Sequence, residues 1–323
     1  MRYCTYVGID THSQKHCICA ITPETGSFIE HTIIGDSDDV ANWIINSVES
    51  GMLDSPIKCV YEAGPTGFSL YRAITDRRIE CVVAAPSKLP RRTDRIKNDR
   101  TDARWLAQML IAGSVRSVSV PSTSQQALLE LSGLRVSAVK DLTRAKQRVG
   151  SFMLKNSIVY TKTRRKYCRT FYRWASALTF EDDTRSYVFK ELVAEVQRRQ
   201  CNLENIDARI MTVIESDEHL DFLHRSLKTL PQVGDVLSFS MLAKVGDIHR
   251  FSDPNSFASY WGITPTEHSS GKSQIRGPMS KKGDDIVRSL LMEAATGYLK
   301  RISYIAHEDP KVPEPIRTEA AFF

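Results

Sequence analysis

Short apolar runs that stop at a carboxylate organise the first third of this chain and restrict what it can fold into. Tyr6-Val7-Gly8-Ile9 ends at Asp10, and residues 57–61 end at Glu62. Further runs cover residues 17–21, 28–34 and 80–84, punctuated by Pro23, Gly26 and Pro86. Runs this short, bounded by turn formers, read as strands. Between them the period changes. Residues 37–48 put Val40, Trp43, Ile44 and Val48 on one helical face, with Ser37 as the expected N-cap. Gly64-Pro65-Thr66-Gly67 turns the chain into a helix over residues 68–76. Three strands, then helix–strand–helix–strand–helix, predict a mixed α/β sheet with helices on both faces.

A different pattern follows. Leu128, Leu131, Ala138, Leu142, Ala145, Val149 and Phe152 form one seam of heptad spacing, broken by Arg135 and weakened by Gly133 and Gly150. Phe189, Leu192, Val196, Leu203, Ile206, Ile210 and Val213 form a second, broken by Arg199. Such seams predict an antiparallel helical hairpin or a dimerising coiled coil; an ordinary pair of amphipathic helices fits the same spacing. From about residue 227, short helices with Gly- and Ser-rich turns are expected, then a helix over 284–301 and a proline-bearing tail. The expected parts are an α/β domain at 1–120, an all-α basic region at 121–225 and a small, mostly helical domain at 226–323.

With 41% hydrophobic and 25% charged residues, a packed core is available and global disorder is excluded. The net charge of +6 says less than its placement. Residues 125–175 hold twelve Lys and Arg against two acids, Glu130 and Asp141, so the remainder is net acidic. Within that segment Lys162, Arg164, Arg165, Lys166, Arg169 and Arg173 alternate with Tyr160, Tyr167, Phe171, Tyr172 and Trp174. Charge for phosphates and aromatic planes for unpaired bases predict a surface for structured RNA or distorted DNA. A solvated helix face is the alternative. Seven cysteines, an odd number without a CxxC pair, argue against a disulfide framework or structural zinc and fit a reducing cytoplasm. No leader-like segment and no apolar stretch near about 18 residues is present, so no membrane span is expected.

Four acids stand at telling places. Asp10 and Glu62 end strands, while Asp99 and Asp102 open a helix in Lys97-Asn98-Asp99-Arg100-Thr101-Asp102-Ala103-Arg104. A spacing of three puts the last two on one face. Strand ends and a helix start converge at one edge of such a sheet. Clustered carboxylates repel one another, so a divalent cation is the natural partner. Two ions of the Mg2+ or Mn2+ kind, about 3.5–4 Å apart, suit phosphodiester cleavage. Lys88, Arg91, Arg92, Arg95, Lys97, Arg100 and Arg104 flank the acids and could neutralise phosphates. Taken singly, an Asp after a strand is often a turn residue, and Asp99 could be a helix cap.

These motifs resemble the DEDD transposases of insertion sequences, the family that includes Piv-type DNA invertases. Val7-Gly8-Ile9-Asp10-Thr11, Glu62-Ala63-Gly64-Pro65-Thr66-Gly67 and the Lys97–Arg104 segment carry the resemblance in the first half. Leu230-Pro231-Gln232-Val233-Gly234, Phe257-Ala258-Ser259-Tyr260-Trp261-Gly262-Ile263-Thr264-Pro265, His268-Ser269-Ser270-Gly271 and Met279-Ser280-Lys281-Lys282-Gly283-Asp284 carry it in the second. The resemblance implies a ribonuclease-H-like (RuvC-like) domain whose four acids are Asp10, Glu62, Asp99 and Asp102. It also implies a second domain with a serine that attaches covalently to DNA, here Ser270. Lys272, Arg276, Lys281 and Lys282 would then bind the scissile phosphate. A homodimer or homotetramer with a composite site, and in some members a structured guide RNA, are further implications. Judged without the family, Ser269-Ser270-Gly271 is an ordinary loop, and Ser269 and Ser273 are competitors. Pro231 to Gly234 resembles half of a helix–hairpin–helix. Many members continue beyond the region matching 284–301 with another helical segment, a departure that leaves an inactive nucleic-acid-binding remnant as one alternative.

A RuvC-like nuclease that cuts with water alone is another. An actin-like kinase shares the Gly-Ile-Asp start, but Thr11-His12-Ser13-Gln14-Lys15 supplies no glycine-rich phosphate loop.

Overall fold

The computed structural model describes residues 4–90, 98–270, 273–299, 313, 314 and 316; at 268–270, 273–275, 298 and 299 only the backbone is described. The chain divides into two compact units, Met1–Val120 and Pro121–Phe323.

The first unit is built on five strands: β1 (Thr5–Thr11), β2 (Lys15–Thr22), β3 (Ser27–Ile34), β4 (Ile57–Glu62) and β5 (Glu80–Ala84). Their order is β3-β2-β1-β4-β5. The first three pair antiparallel, whereas β4 runs parallel to β1 and β5 parallel to β4. This mixed sheet is the ribonuclease-H-like arrangement expected above.

Alternation of side chains assigns its two faces. Val7, Ile9, Ile18, Tyr61 and Val83 pack with Val40 and Ile44 of α1 (Ser37–Glu49) and with Leu70 and Ile74 of α2 (Ser69–Asp76). On the other face, Cys17 and Cys19 meet Ala103, and Val60 and Ala84 meet Leu106, both from α3 (Asp99–Ile111). Asp36, not Ser37, caps α1. Its Oδ1 accepts from the amides of Asp38 and Asp39, and Asp39 accepts back from the Asp36 amide at 2.9 Å. That reciprocal box satisfies three amide donors at the helix start, those of Asp36, Asp38 and Asp39.

In the second unit the two seams become α4 (Thr123–Lys155) and α6 (Asp183–Glu215). They run antiparallel: Leu142, Val149 and Met153 pack with Phe189, Val193 and Val196, and Leu128 and Ala138 with Ile206, Ile210 and Ile214. Gly133 and Gly150 interrupt nothing. The charged breaks are paired, Arg135 with Asp207 at 2.6 Å and Arg199 with Glu195 at 2.6 Å.

Short α5 (Arg169–Ala177) lies between them in sequence. After them come α7 (Glu218–Lys228), α8 (Asp235–Val245), α9 (Pro254–Tyr260) and α10 (Asp285–Leu299). Between α9 and α10 the chain forms a hairpin, β6 (Pro265–Ser270) and β7 (Ser273–Met279). The expected loop at Ser269 and Ser270 is therefore strand. Its sequence lacks the long apolar alternation that signals a strand, because the two strands pair chiefly with each other.

Candidate active site

Register places the strand acids together. Ile9 pairs with Tyr61, so Asp10 on β1 and Glu62 on β4 follow side by side at the end of parallel neighbours. Both alternate onto the face covered by α3. That helix can sit close because Gly8 has no side chain: a Cβ there would run into the Ala103 carbonyl oxygen and meet the Ala107 amide nitrogen at 2.5 Å. At its start, Asn98 caps α3, accepting from the Thr101 amide at 2.9 Å, while Thr101 Oγ1 accepts from the Asn98 amide. The cap is thus Asn98 rather than Asp99, which leaves Asp99 and Asp102 as acids of the first turn, the end where the helix dipole favours negative charge.

Asp10, His12 and Asp99 form the tight group among the described residues, with one ligand atom from each within 4.8 Å of the others. His12 Nε2 lies 3.6 Å from Asp10 Oδ2 and 3.8 Å from Asp99 Oδ1. Lys15 Nζ donates to the other Asp99 oxygen at 2.7 Å. Glu62 and Asp102 stand outside this group, the first on the neighbouring strand and the second one turn along α3. The group thus holds two of the four expected carboxylates, with His12 and Lys15 beside them, and Glu62 lines the same cleft as Asp10. Repulsion between the two carboxylates is relieved by the Lys15 ammonium on Asp99.

The electrostatics record that balance. Burial raises the Asp10 pKa above its ordinary value; His12 pulls it down, while Asp99 and Glu62 raise it further. Asp99 is held below the usual carboxylate range by the Lys15 hydrogen bond. A cleft of about 620 Å³ opens beside Asp10 and Glu62, lined also by His12, Ser37, Thr66 and Ser69. Hard carboxylate oxygens beside an open cleft fit a divalent cation.

Comparison with known proteins adds the decisive observation. Residues 7–156 match the DEDD-type transposase model of the IS110 group, and residues 224–309 match the transposase IS116/IS110/IS902 family. The chain belongs to the DEDD-type insertion-sequence transposases. It is 34% identical over 239 residues to a Sinorhizobium fredii protein named "Putative transposase y4qE", covering 74% of this chain and 57% of that protein. It is 27% identical over 270 residues to the transposase for insertion sequence element IS1533 of Leptospira borgpetersenii, covering 81% and 77% respectively. A transposase for element IS1111A of Coxiella burnetii matches at 24% identity over 72% of this chain and 63% of its own length. The chain thus spans less than two thirds of the first of these relatives. Membership in a DEDD family suggests use of a divalent metal.

In this DEDD-family chain the remaining expected site residues fall in several places. Ser270 is the last residue of β6, paired in register with Ser273. Below that hairpin the backbone is interlocked: a Cβ at Gly283 would strike Tyr260 and Trp261, and Arg288 donates to the carbonyls of Trp261 and Gly283. Arg276, Lys281 and Lys282 are exposed around it. Arg91, Arg92, Arg95, Lys97 and Lys272 lie outside the described residues. Lys88 and Arg100 are exposed, whereas Arg104 is engaged by Glu30 at 2.8 Å and lies 4.5 Å over the Phe28 ring.

The basic segment needs a correction. Lys162, Arg164, Arg165, Lys166, Arg169 and Arg173 are exposed as expected, but the aromatics between them are not a stacking platform. Tyr160 and Phe171 are buried, and Tyr167, Tyr172 and Trp174 pack against the same core. Tyr160 lies 5.1 Å from Phe171 and 4.9 Å from Trp174, ring to ring. Burying large rings outweighs leaving them free for bases, so the charged side chains are the most exposed part of this surface.

His12 and Lys15 were missed in the sequence. The available signal was proximity: His12 directly follows β1, two residues after Asp10, and the Lys15 carbonyl accepts from the His12 amide across the β1–β2 turn at 2.9 Å.

Proposed function

We propose that this chain cuts and rejoins DNA as the transposase of an insertion sequence. Asp10, Glu62, Asp99 and Asp102 hold divalent ions, two of the Mg2+ or Mn2+ kind. Bound there, such ions neutralise developing charge and activate an oxygen nucleophile at neutral pH. The observation that carries the reading is the convergence of Asp10 on β1 with Asp99 on α3, acids far apart in sequence whose oxygens share one histidine.

The chain's own residues divide the remaining work. Lys15 orients Asp99 by its hydrogen bond. Arg91, Arg92, Arg95, Lys97 and Arg100 bind backbone phosphates beside the acids, and Lys272, Arg276, Lys281 and Lys282 do so beside Ser270. Arg104, engaged by Glu30, contributes its charge to the surface. The Ser270 hydroxyl displaces one DNA oxygen from the scissile phosphorus, and its proton passes to that departing oxygen. The phosphoserine keeps the energy of the broken bond, so attack by another strand's hydroxyl restores a phosphodiester and frees the serine. Arg164, Arg165 and Lys166 hold a structured guide RNA from the element, and the protein works as a homodimer or homotetramer. Residues 121–225 and 226–323 act as separate functional parts, and the protein works in the bacterial cytoplasm. Among the described residues no helix is long and apolar enough to cross a membrane.

Trapping on a nicked or suicide DNA substrate tests the chemistry. A covalent protein–DNA adduct is expected, lost in both Ser270→Ala and Asp102→Asn, with nucleic-acid binding retained. Cleavage without an adduct, unaffected by Ser270→Ala, would replace this reading with a water-using RuvC-like nuclease.

A further inference from the structure

We propose that His12 is itself a metal ligand, and that its imidazole tilts the Asp10–Asp99 site toward transition ions such as Mn2+ at the expense of Mg2+. The inference rests on the metal-site reading above and names the ion class that site prefers.

Geometry is the first argument. Two donors bound to one ion at about 2.1 Å each lie about 3–4.2 Å apart, depending on the angle between them. His12 Nε2 meets that range with both carboxylates, at 3.6 Å and 3.8 Å. All three donor atoms fall within 4.8 Å of one another, so at most a small closing of the two carboxylates would set all three on one ion.

Orientation is the second. Lys15 takes Asp99 Oδ2 at 2.7 Å, which turns Oδ1 toward His12. An ammonium behind a ligating carboxylate is the outer-sphere support that metal sites use to fix a ligand. His12 is held at the turn by its own amide, which donates to the Lys15 carbonyl. The β1–β2 turn thus delivers a nitrogen ligand and a carboxylate clamp from residues three apart.

Ligand chemistry supplies the preference. Mg2+ favours oxygen donors and keeps its waters, whereas imidazole binds transition ions more readily. A site of four carboxylates would take either ion. Adding one imidazole shifts the balance. The competing role for His12 is a cationic partner to two carboxylates, with no bond to the ion.

Pulsed electron paramagnetic resonance on the full chain, grown with 15N-histidine and loaded with Mn2+, separates these roles. A directly bound imidazole gives a 15N coupling. It is expected in the wild type and in His16→Gln, and expected to vanish in His12→Gln. Mn2+ affinity of His12→Gln should fall about tenfold or more, while Mg2+ affinity, read by competition, changes less than about threefold. Because the wild-type spectrum reports ligation directly, the test survives a variant that misfolds. Mn2+ bound without nitrogen coupling, yet lost in Asp10→Asn, overturns the role of His12 and leaves the carboxylate site standing. Mn2+ binding indifferent to Asp10→Asn overturns both.

Discussion

Gly8 and Ala103 touch backbone to backbone across the β1–α3 contact, with no space for even a methyl group between them. This close approach brings the start of α3, with Asp99, to the strand end that carries Asp10. Gly8→Ala forces the helix outward or unfolds the contact. Overpacking of this kind costs about 1–3 kcal/mol. The expected outcome is a lower melting temperature and loss of DNA cleavage together. A Gly8→Ala protein with wild-type melting and activity would show that α3 can move without consequence.

Asp10 is charged at a cost. It is largely buried and faces Asp99 and Glu62, and these raise its pKa. A carboxyl whose folded pKa is raised binds protons more tightly in the folded state, so its contribution to stability falls as pH rises through the shifted value. At neutral pH, without divalent ions, Asp10→Asn should therefore melt above the wild type. Adding Mg2+ or Mn2+ should raise the wild-type melting temperature and leave the variant unmoved. Differential scanning fluorimetry with and without EDTA reads both arms.

Ser238, His224 and Asp235 form a hydrogen-bonded chain in the second unit, with Ser238 Oγ 2.9 Å from His224 Nδ1 and His224 Nε2 3.2 Å from Asp235. The resemblance to a hydrolytic triad ends with burial, since Ser238 is fully buried and reaches no substrate. The chain ties α7 to α8 across the Leu230–Gly234 turn. Burial lowers the His224 pKa, and Lys228 adds to this. The folded state therefore keeps this imidazole neutral to lower pH than the unfolded chain, which takes up a proton near pH 6.5. Stability of this unit should fall as pH drops below that value, with His16 acting in the same sense in the first unit. Urea melts of wild type and His224→Gln at pH 7.5 and 5.5 should show the wild type losing more on acidification. Removing the ring with His224→Ala should cost about 2–3 kcal/mol, since buried Ser238 loses a partner.

Arg135 interrupts the α4 seam and is satisfied by Asp207 through two hydrogen bonds. Asp207 is substantially exposed, so the pair is worth about 1 kcal/mol or less. Arg135→Leu should restore the apolar seam and equal or exceed wild-type stability, whereas Arg135→Ala should fall below it. Chemical denaturation compares them; a large loss in Arg135→Leu would mean the ion pair dominates the hairpin.

The basic segment separates charge from aromaticity. Combined Arg164→Ala, Arg165→Ala and Lys166→Ala should weaken RNA or DNA binding and lower the slope of log affinity against log salt by about two to three, leaving the fold intact. Phe171→Ala should instead destabilise the protein by about 3–5 kcal/mol, because that ring is core. Salt-dependent binding and circular dichroism together distinguish the two.

The sequence by itself determined the strands that carry Asp10 and Glu62 near their ends, the helix that opens at Asp99, the two long seams and the exposed charge at 164–166. These features are local: alternation, heptad spacing and capping depend on residues a few positions apart. Tertiary structure decided what distant residues do to one another. It brought His12 and Lys15 to Asp99, and packed Tyr160, Phe171 and Trp174 against one another. It also made β6 and β7 from residues with no strong strand pattern. Each outcome depends on register or on burial against remote segments, and neither is encoded in the spacing of a single stretch of chain.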